Sequence, residues 1–301
     1  MSWLIIIISA YFLFAVVSLG DKYLLAGPPN PKIYSFYVGT LGIVAIILIP
    51  FVGFSIPEVS QISLALLTGA IYIVALFGLY NGLEHFEASR IVPAIGGLLP
   101  LFTFGLVFPF LGEKQIFSIT EVLAFILLLS GSVFITYKRE RFITSESFKI
   151  SAITAFFFAL AFVLTKCVYL AQPFWSGFIW MRIGGFIVAL LFLFTKEVKR
   201  EIFEKKFTFQ RKTGSIFIFN QGLGAGAFIL QNWAIALVPL GFLPFINALE
   251  GTKYIFLLIL AVLISWKFPQ ILKEEVSKKV LLQKIIAVLL IGGGLALLTL
   301  E

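Results

Sequence analysis

Apolar residues run through this sequence in ten stretches of about 20, parted by short polar breaks, at 3–25, 31–52, 60–83, 88–111, 116–137, 148–171, 174–195, 213–236, 241–266 and 279–300. A bilayer core about 30 Å thick is crossed by about 20 apolar residues in a helix, so each stretch predicts one transmembrane helix. Hydrocarbon offers the backbone no water to bond, which restricts spanning segments to helices and closed barrels, and the length of these runs selects helices. The predicted fold is an all-α polytopic membrane protein with little chain outside the bilayer. Its longest polar stretch, 196–212, is too short for a separate soluble domain. The first run has no basic region before it and no small-residue cleavage site before Asp21, so it reads as a helix of the mature protein rather than a signal peptide.

The second half repeats the first in outline. A shift of about 150 positions sets Ser63 on Ser215, Gly82 on Ala234 and the 88–114 segment on 240–266. After an insertion at 269–279, Gly131 meets Gly293, while near the start of each half Lys22 falls on Lys166 and Ala15 on Ala159. This organisation predicts two five-helix repeats, 1–137 and 148–301. An odd number of spans inserts the second copy upside down, relating the halves by a pseudo-two-fold axis in the membrane plane.

With 60% hydrophobic and 13% charged residues and a mean hydropathy of +1.06, lipid is the intended solvent. The net charge of +8 is a topology signal rather than a nucleic-acid footprint. Of the 23 Lys and Arg, all but Lys114, Lys166, Arg182 and Lys253 lie in or beside the connectors that follow the odd-numbered stretches, on one membrane face. The positive-inside rule makes that face cytoplasmic and puts both termini outside; the same residues would meet anionic headgroups. The chain holds one Cys (Cys167), one His and one Asp. It can form no internal disulfide, cysteine cage or His/Asp metal site, and neither H-E-x-x-H nor G-x-S-x-G occurs. No metal, cofactor or enzymatic activity is expected.

Ionisable side chains at membrane depth cost about 2.5–3.5 kcal/mol each at a helix centre, and those retained usually line a polar path. Asn247, Glu250 and Lys253 follow one another at intervals of three in the ninth stretch, sharing roughly one face of a continuous helix with Glu250 about 13 Å inside. Either Glu250 and Lys253 neutralise each other and pin helices, or the stripe lines a cavity where Glu250 contacts substrate or takes a proton. Arg182, at similar depth in the seventh stretch, suits a substrate carboxylate or phosphate, or an internal ion pair with Glu250. Gln231, Asn232, Trp233 and Trp180 would surround that level, with Trp175 as an interfacial anchor. Near the opposite membrane face, Asn81, Glu84, His85, Glu87 and Arg90 cluster at a tight turn, with Asn220 and Gln221 at comparable depth, as a candidate gate. His85 is read as a solvated turn histidine or a proton group. Lys22 and Lys166 snorkel or reach the cavity, and Glu121 reaches interfacial water. Gly78/Gly82 and Gly222/Gly226, at four-residue spacing, predict close helix contacts. Gly222-Leu223-Gly224-Ala225-Gly226 has neither the strand nor the lysine of a phosphate loop. Gly292-Gly293-Gly294, Pro93, Pro100 and Pro244 mark places where helices can bend.

In the fourth stretch, Ala88-Ser89-Arg90, Pro93, Leu98-Leu99-Pro100-Leu101 and Leu111-Gly112-Glu113-Lys114, followed by Gly131, resemble the signature of the EamA-like branch of the drug/metabolite transporter superfamily. The likeness extends over nearly the whole chain. The second half departs from it, with Ile264-Ser265 where Gly-Glu would fall and Thr252 at the Pro100 position. The resemblance implies a ten-helix carrier of small metabolites with both termini inside, against the orientation that the charge bias gives.

The function expected from these readings is a secondary-active transporter in the cytoplasmic (inner) membrane, moving a small polar metabolite such as an amino acid or nucleotide sugar by alternating access. Its partners are the solute, the lipid bilayer and, through Glu250, protons; a monomer or homodimer suffices. A flippase of lipid-linked cargo, a channel and a non-transporting membrane subunit are the alternatives.

Overall fold

The structure is a computed structural model describing residues 2–24, 31–86, 88–111, 117–136, 145–203, 211–267 and 278–299. Every regular element among them is helical: α1 (Ser2–Leu24), α2 (Pro31–Gly42), α3 (Val59–His85), α4 (Ala88–Val107), α5 (Ile119–Thr136), α6 (Ser145–Ala171), α7 (Phe174–Leu191), α8 (Lys196–Phe203), α9 (Arg211–Leu237), α10 (Leu243–Ala248), α11 (Gly251–Lys267) and α12 (Lys278–Thr299). Tighter 3₁₀ turns extend α2 through Ile43–Phe51, α4 through Phe108–Phe110 and α7 through Phe192–Phe194. The run after α2 ends at Gly53, whose φ of +61° lies in the left-handed region that glycine enters without a Cβ clash. The described part of each predicted apolar stretch is mainly helical, although the ninth is divided between α10 and α11.

Among the described residues, seven helical runs are long and apolar enough to cross a bilayer: Ser2–Gly20, Val59–His85, Ile91–Phe110, Ser145–Ala171, Phe174–Phe194, Leu240–Leu260 and Leu282–Thr299. Ser35–Phe51 and Ile119–Ile135 are shorter apolar helices. The chain is a multi-pass helical membrane protein.

Its helices gather into two compact units that do not follow the sequence halves. One unit comprises Met1–Ala26, Phe108–Arg141 and Phe209–Glu301; the other comprises Gly27–Val107 and Phe142–Thr208. In the first, α1 packs on α9 and α11, and α5 on α12 and α11. In the second, α6 packs on α3 and α4, and α7 on α2 and α3. The first helix of each sequence half thus lies against the third and fourth of the other half.

Apolar helices gain nothing from leaving lipid for one another, so small residues that let backbones approach set their contacts. Gly78 faces Thr154, and Gly82 faces Ile91 and Ile150, as its spacing predicts. Gly222 and Gly226 do not behave this way: a methyl group on either would have open space. The contact of α9 with α1 falls on other residues, with Gly224 beside Val17 and buried Asn220 donating to the Val17 carbonyl at 3.3 Å over Gly20. In a helix, positions two apart point away from each other, so Gly222 and Gly226 occupy the side opposite Gly224. The closest crossing in the second unit is α3 on α7. A Cβ on Gly69 would strike the Met181 carbonyl, and one on Gly184 the Leu66 backbone. The α5–α12 pair uses Gly131 against Ile291, and Gly294 against Leu128 and the Ala124 carbonyl. α12 runs unbroken through Gly292, Gly293 and Gly294.

The amphipathic α8 docks on α2 through fully buried Val198 and a 2.8 Å ion pair between Lys32 and Glu197. Hydrogen bonding to Lys32 holds the Glu197 carboxyl below the usual carboxylate range. A carboxylate lowered in the folded state stabilises it at neutral pH, and that contribution is lost as pH falls through the lowered value. Both groups are exposed, so the effect is small. Glu197→Gln should lower the thermal midpoint slightly at pH 7, and the difference from wild type should shrink as the melts are repeated at progressively more acid pH. Gly69→Val and Gly184→Val drive a side chain into backbone and should each cost about 1–3 kcal/mol or more, read as a loss of monodisperse protein on heating. Gly222→Ala should be silent.

Candidate functional site

Asn247, Glu250 and Lys253 do not share one helix. α10 ends at Ala248, α11 begins at Gly251, and Leu249 and Glu250 form the turn between them. The bend is not at Pro244, which lies in the first turn of α10, where a missing N–H costs no intrahelical bond. Nor do Pro93 and Pro100 break α4, which continues through both.

At the turn the backbone tightens. The Glu250 N–H donates to the Asn247 carbonyl at 3.1 Å, the Thr252 N–H to Leu249 at 2.9 Å and the Lys253 N–H to Glu250 at 3.0 Å, each reaching three residues back instead of four. The Ile246 and Ala248 carbonyls lose their usual donors. Tyr11 of α1 supplies one, its buried hydroxyl donating to Ile246 O at 2.7 Å. Ser132 of α5 supplies the other, donating to Ala248 O at 2.6 Å while accepting the Gly251 N–H at 2.9 Å. A Cβ at Gly251 would collide with that Ser132 hydroxyl and with Ile291, so the position requires glycine. A break that would be costly in hydrocarbon is closed by side chains from two other helices.

Glu250 therefore sits at a built discontinuity. Its Oε1 accepts from Lys253 Nζ at 2.5 Å, and the Lys253 ammonium lies 4.8 Å from the Tyr254 ring centre. The pair is not sealed: the Glu250 side chain is 30% exposed and that of Lys253 19%. Around it, Asn247 is buried, and the Tyr11 hydroxyl lies near Gln231 and within the field of Glu250. Asn232 is buried with its amide donating to the Phe228 carbonyl of its own helix at 2.9 Å, and Trp233 is exposed. Asn247, Glu250, Lys253, Gln231, Asn232 and Trp233 all belong to one unit.

Arg182 and Trp180 belong to the other unit. The Arg182 guanidinium carbon lies 5.6 Å from the Tyr72 ring centre and 5.4 Å from that of Phe178, and it interacts with Tyr169. This aromatic setting favours a cation through the ring quadrupoles. Trp180 packs on Phe54, its ring 6.1 Å away, and buries an indole N–H that has no hydrogen-bond partner among the described residues. Lys166 is buried in α6 of the same unit. Trp175 stacks edge-on with Phe174 and Phe178.

The candidate gate residues divide in the same way. Asn81, Glu84 and His85 close α3, with His85 Nδ1 2.9 Å from the Asn81 carbonyl and 4.0 Å from the Glu84 carboxylate, and with His85 and Glu84 exposed. This is a solvated helix end. Asn220, in the first unit, holds α9 to α1. Glu87, Gly112, Glu113, Lys114 and the side chains of Lys22 and Arg90 lie outside the described residues. Glu121 does more than reach water: its carboxylate accepts the Ser118 N–H at 2.8 Å while Ser118 Oγ accepts the Glu121 N–H at 3.1 Å, a reciprocal cap on α5. No group of three or more metal-binding side chains occurs among the described residues.

Sequence reasoning missed Tyr11 and Ser132. A hydroxyl in an apolar run carries little signal by itself, because its importance depends on a carbonyl more than a hundred positions away.

No family model and no curated protein matches the sequence. A solved structure titled only "Crystal structure of protein" is similar over 99% of this chain and 96% of its own, with a TM-score of 0.68 at 17% identity. That likeness shows a shared fold.

Tyr11→Phe and Ser132→Ala each remove one carbonyl's donor with little change in volume. Each should destabilise by about 0.6 kcal/mol, with about 1.7 as the upper range for hydrogen bonds within membranes, measured by unfolding in mixed micelles. Gly251→Ala should cost more than either, since its methyl meets the Ser132 backbone.

Proposed function

We propose that this chain is a secondary carrier of the EamA-like, drug/metabolite transporter type, moving a small polar or zwitterionic metabolite across the cytoplasmic membrane by alternating access. The observation that carries this reading is the break at Glu250: a helix interrupted within an apolar span, its carbonyls capped by Tyr11 and Ser132, with a half-open Glu250–Lys253 pair at the discontinuity. Interrupted helices with polar backbone and charge at membrane depth are how secondary transporters hold solutes and coupling ions. A pair needed only to pin helices could be replaced by apolar side chains of similar volume without loss of stability, whereas a partly exposed one offers both signs of charge to a solute.

The reciprocal packing, α1 on α9 and α11 as α6 on α3 and α4, supports two inverted five-helix repeats. Glu250 is the coupling or substrate carboxylate, with Lys253, Asn247 and Gln231 around it. Arg182, among Tyr72, Phe178 and Tyr169, is a second polar position for an anionic or aromatic group. No nucleotide-binding motif occurs in the sequence, so transport draws on a gradient of the solute or of protons. The reaction needs no cofactor or metal, and one chain or a homodimer suffices.

Sealed vesicles holding the protein, loaded with cell extract and profiled over minutes, test the proposal. A solute should leave wild-type vesicles and not empty ones. Its rate should fall about ten-fold or more in Glu250→Gln, the scale of one charged hydrogen bond. Equal rates in the variant would remove Glu250 from the path, and no solute moving in any vesicle would contradict the carrier. Reversal of flux on reversing an imposed pH gradient would identify protons as the coupling ion.

A further inference from the structure

We propose that the groove between the end of α7 and α8 is a binding site for one anionic phospholipid, its acyl chain against Leu190, Leu193, Phe194 and Phe203 and its phosphate on Lys199. This site is separate from the Glu250 break and does not rest on the transport reading. The groove is an open surface trough of about 520 Å³, lined by those four apolar side chains and one ammonium. It includes none of the residues assigned to the candidate functional site.

The local chain explains its form. α7 closes with a 3₁₀ turn, the Thr195 N–H donating to Phe192 O at 3.0 Å, and the backbone becomes extended at Thr195 before α8 begins. One side of α8 is committed to protein: Val198 is fully buried, and Glu197 pairs with Lys32 and feels Arg200. The next positions turn outward. Lys199 and Phe203, four apart and therefore on one helix face, join Leu190, Leu193 and Phe194 around the groove. Phe194 and Phe203 are 79% and 78% exposed, which makes this one of the least covered aromatic surfaces of the chain.

An apolar floor with a cation at its rim fits a molecule that is hydrocarbon at one end and anionic at the other. Charge selects among lipids. Within α8, Lys196, Lys199 and Arg200 exceed Glu197 and Glu201 by one charge, Glu197 being paired with Lys32, and in the sequence that follows Lys205 and Lys206 exceed Glu204 by one, so the segment is basic on balance with Lys199 at the rim of the groove. Near a membrane surface each basic residue favours an anionic headgroup by an amount equal to about five-fold in occupancy. A zwitterionic headgroup gains less because its own ammonium opposes Lys199.

The test uses the full chain in phosphatidylcholine nanodiscs doped with a phosphatidylglycerol carrying a photoactivatable diazirine on its acyl chain, with labelled peptides mapped by mass spectrometry. Labelling should concentrate in 190–203, exceed that from a phosphatidylcholine probe with the same acyl chain, fall about five-fold in Lys199→Gln and persist in Lys199→Arg. Phe203→Ala should lower it as well. Millimolar inorganic phosphate should not compete, whereas unlabelled phosphatidylglycerol should. Equal labelling by the two lipid probes, or no change in Lys199→Gln, would overturn the proposal, and competition by inorganic phosphate would replace it with a soluble-anion site. The lysine and phenylalanine replaced are exposed, and unchanged elution of the variants confirms that lost labelling is lost binding.

Discussion

A peptide group in hydrocarbon has to find its hydrogen-bond partner within the protein, at several kilocalories per group left unmet, and the most consequential part of this molecule is where that rule is strained. Between Ala248 and Gly251 the helical register is broken and two carbonyls lose their donors. Tyr11 and Ser132 restore them, from helices far away in sequence. The requirement runs outward from there. α1 has to present its hydroxyl to α10, α5 has to bring Ser132 within reach of both Ala248 O and Gly251 N–H, and residue 251 has to lack a side chain. The buried hydroxyls of Tyr11 and Ser132 are thus a consequence of one interrupted span.

The same break accounts for where the charges are. A carboxylate and an ammonium inside an apolar helix are tolerated when each lowers the other's cost and when both keep some access to water. Glu250 and Lys253 meet the first condition by direct pairing, and neither side chain is fully enclosed by protein. Arg182 meets the problem differently, by lying among aromatic rings. Elsewhere the units are held by glycines that admit a neighbouring backbone, such as Gly69, Gly184 and Gly131. Those contacts give close packing without polar groups. The break spends hydrogen bonds to hold a shape that packing alone would not favour, and a site that binds a polar solute needs such a shape.

Much of this was legible in the residues. The apolar runs locate the helices, seven of them long enough among the described residues to match the bilayer thickness that sets their length, and Gly78 and Gly82 announce a helix contact because their spacing follows the helical period. Glu250 stood out because a charge in such a run is rare. The break itself was not legible: the face shared by Asn247, Glu250 and Lys253 assumed an unbroken helix, and proline drew attention to Pro244, which is harmless in a first turn. Gly222 and Gly226 show the converse error, a spacing without a partner to fill it. Local periodicity describes a helix's faces but not which neighbour each face meets. The division into units drawn from both sequence halves is likewise a property of long-range packing.

In the proposed carrier, Glu250 lies on a path reached alternately from the two membrane faces. Cys167 is the sole native cysteine, so Glu250→Cys in a Cys167→Ala background gives a single thiol at that point. A membrane-impermeant thiol reagent applied to one face or the other of sealed vesicles reads its accessibility. The account predicts labelling from either side. Labelling from one side alone, or from neither, would contradict it.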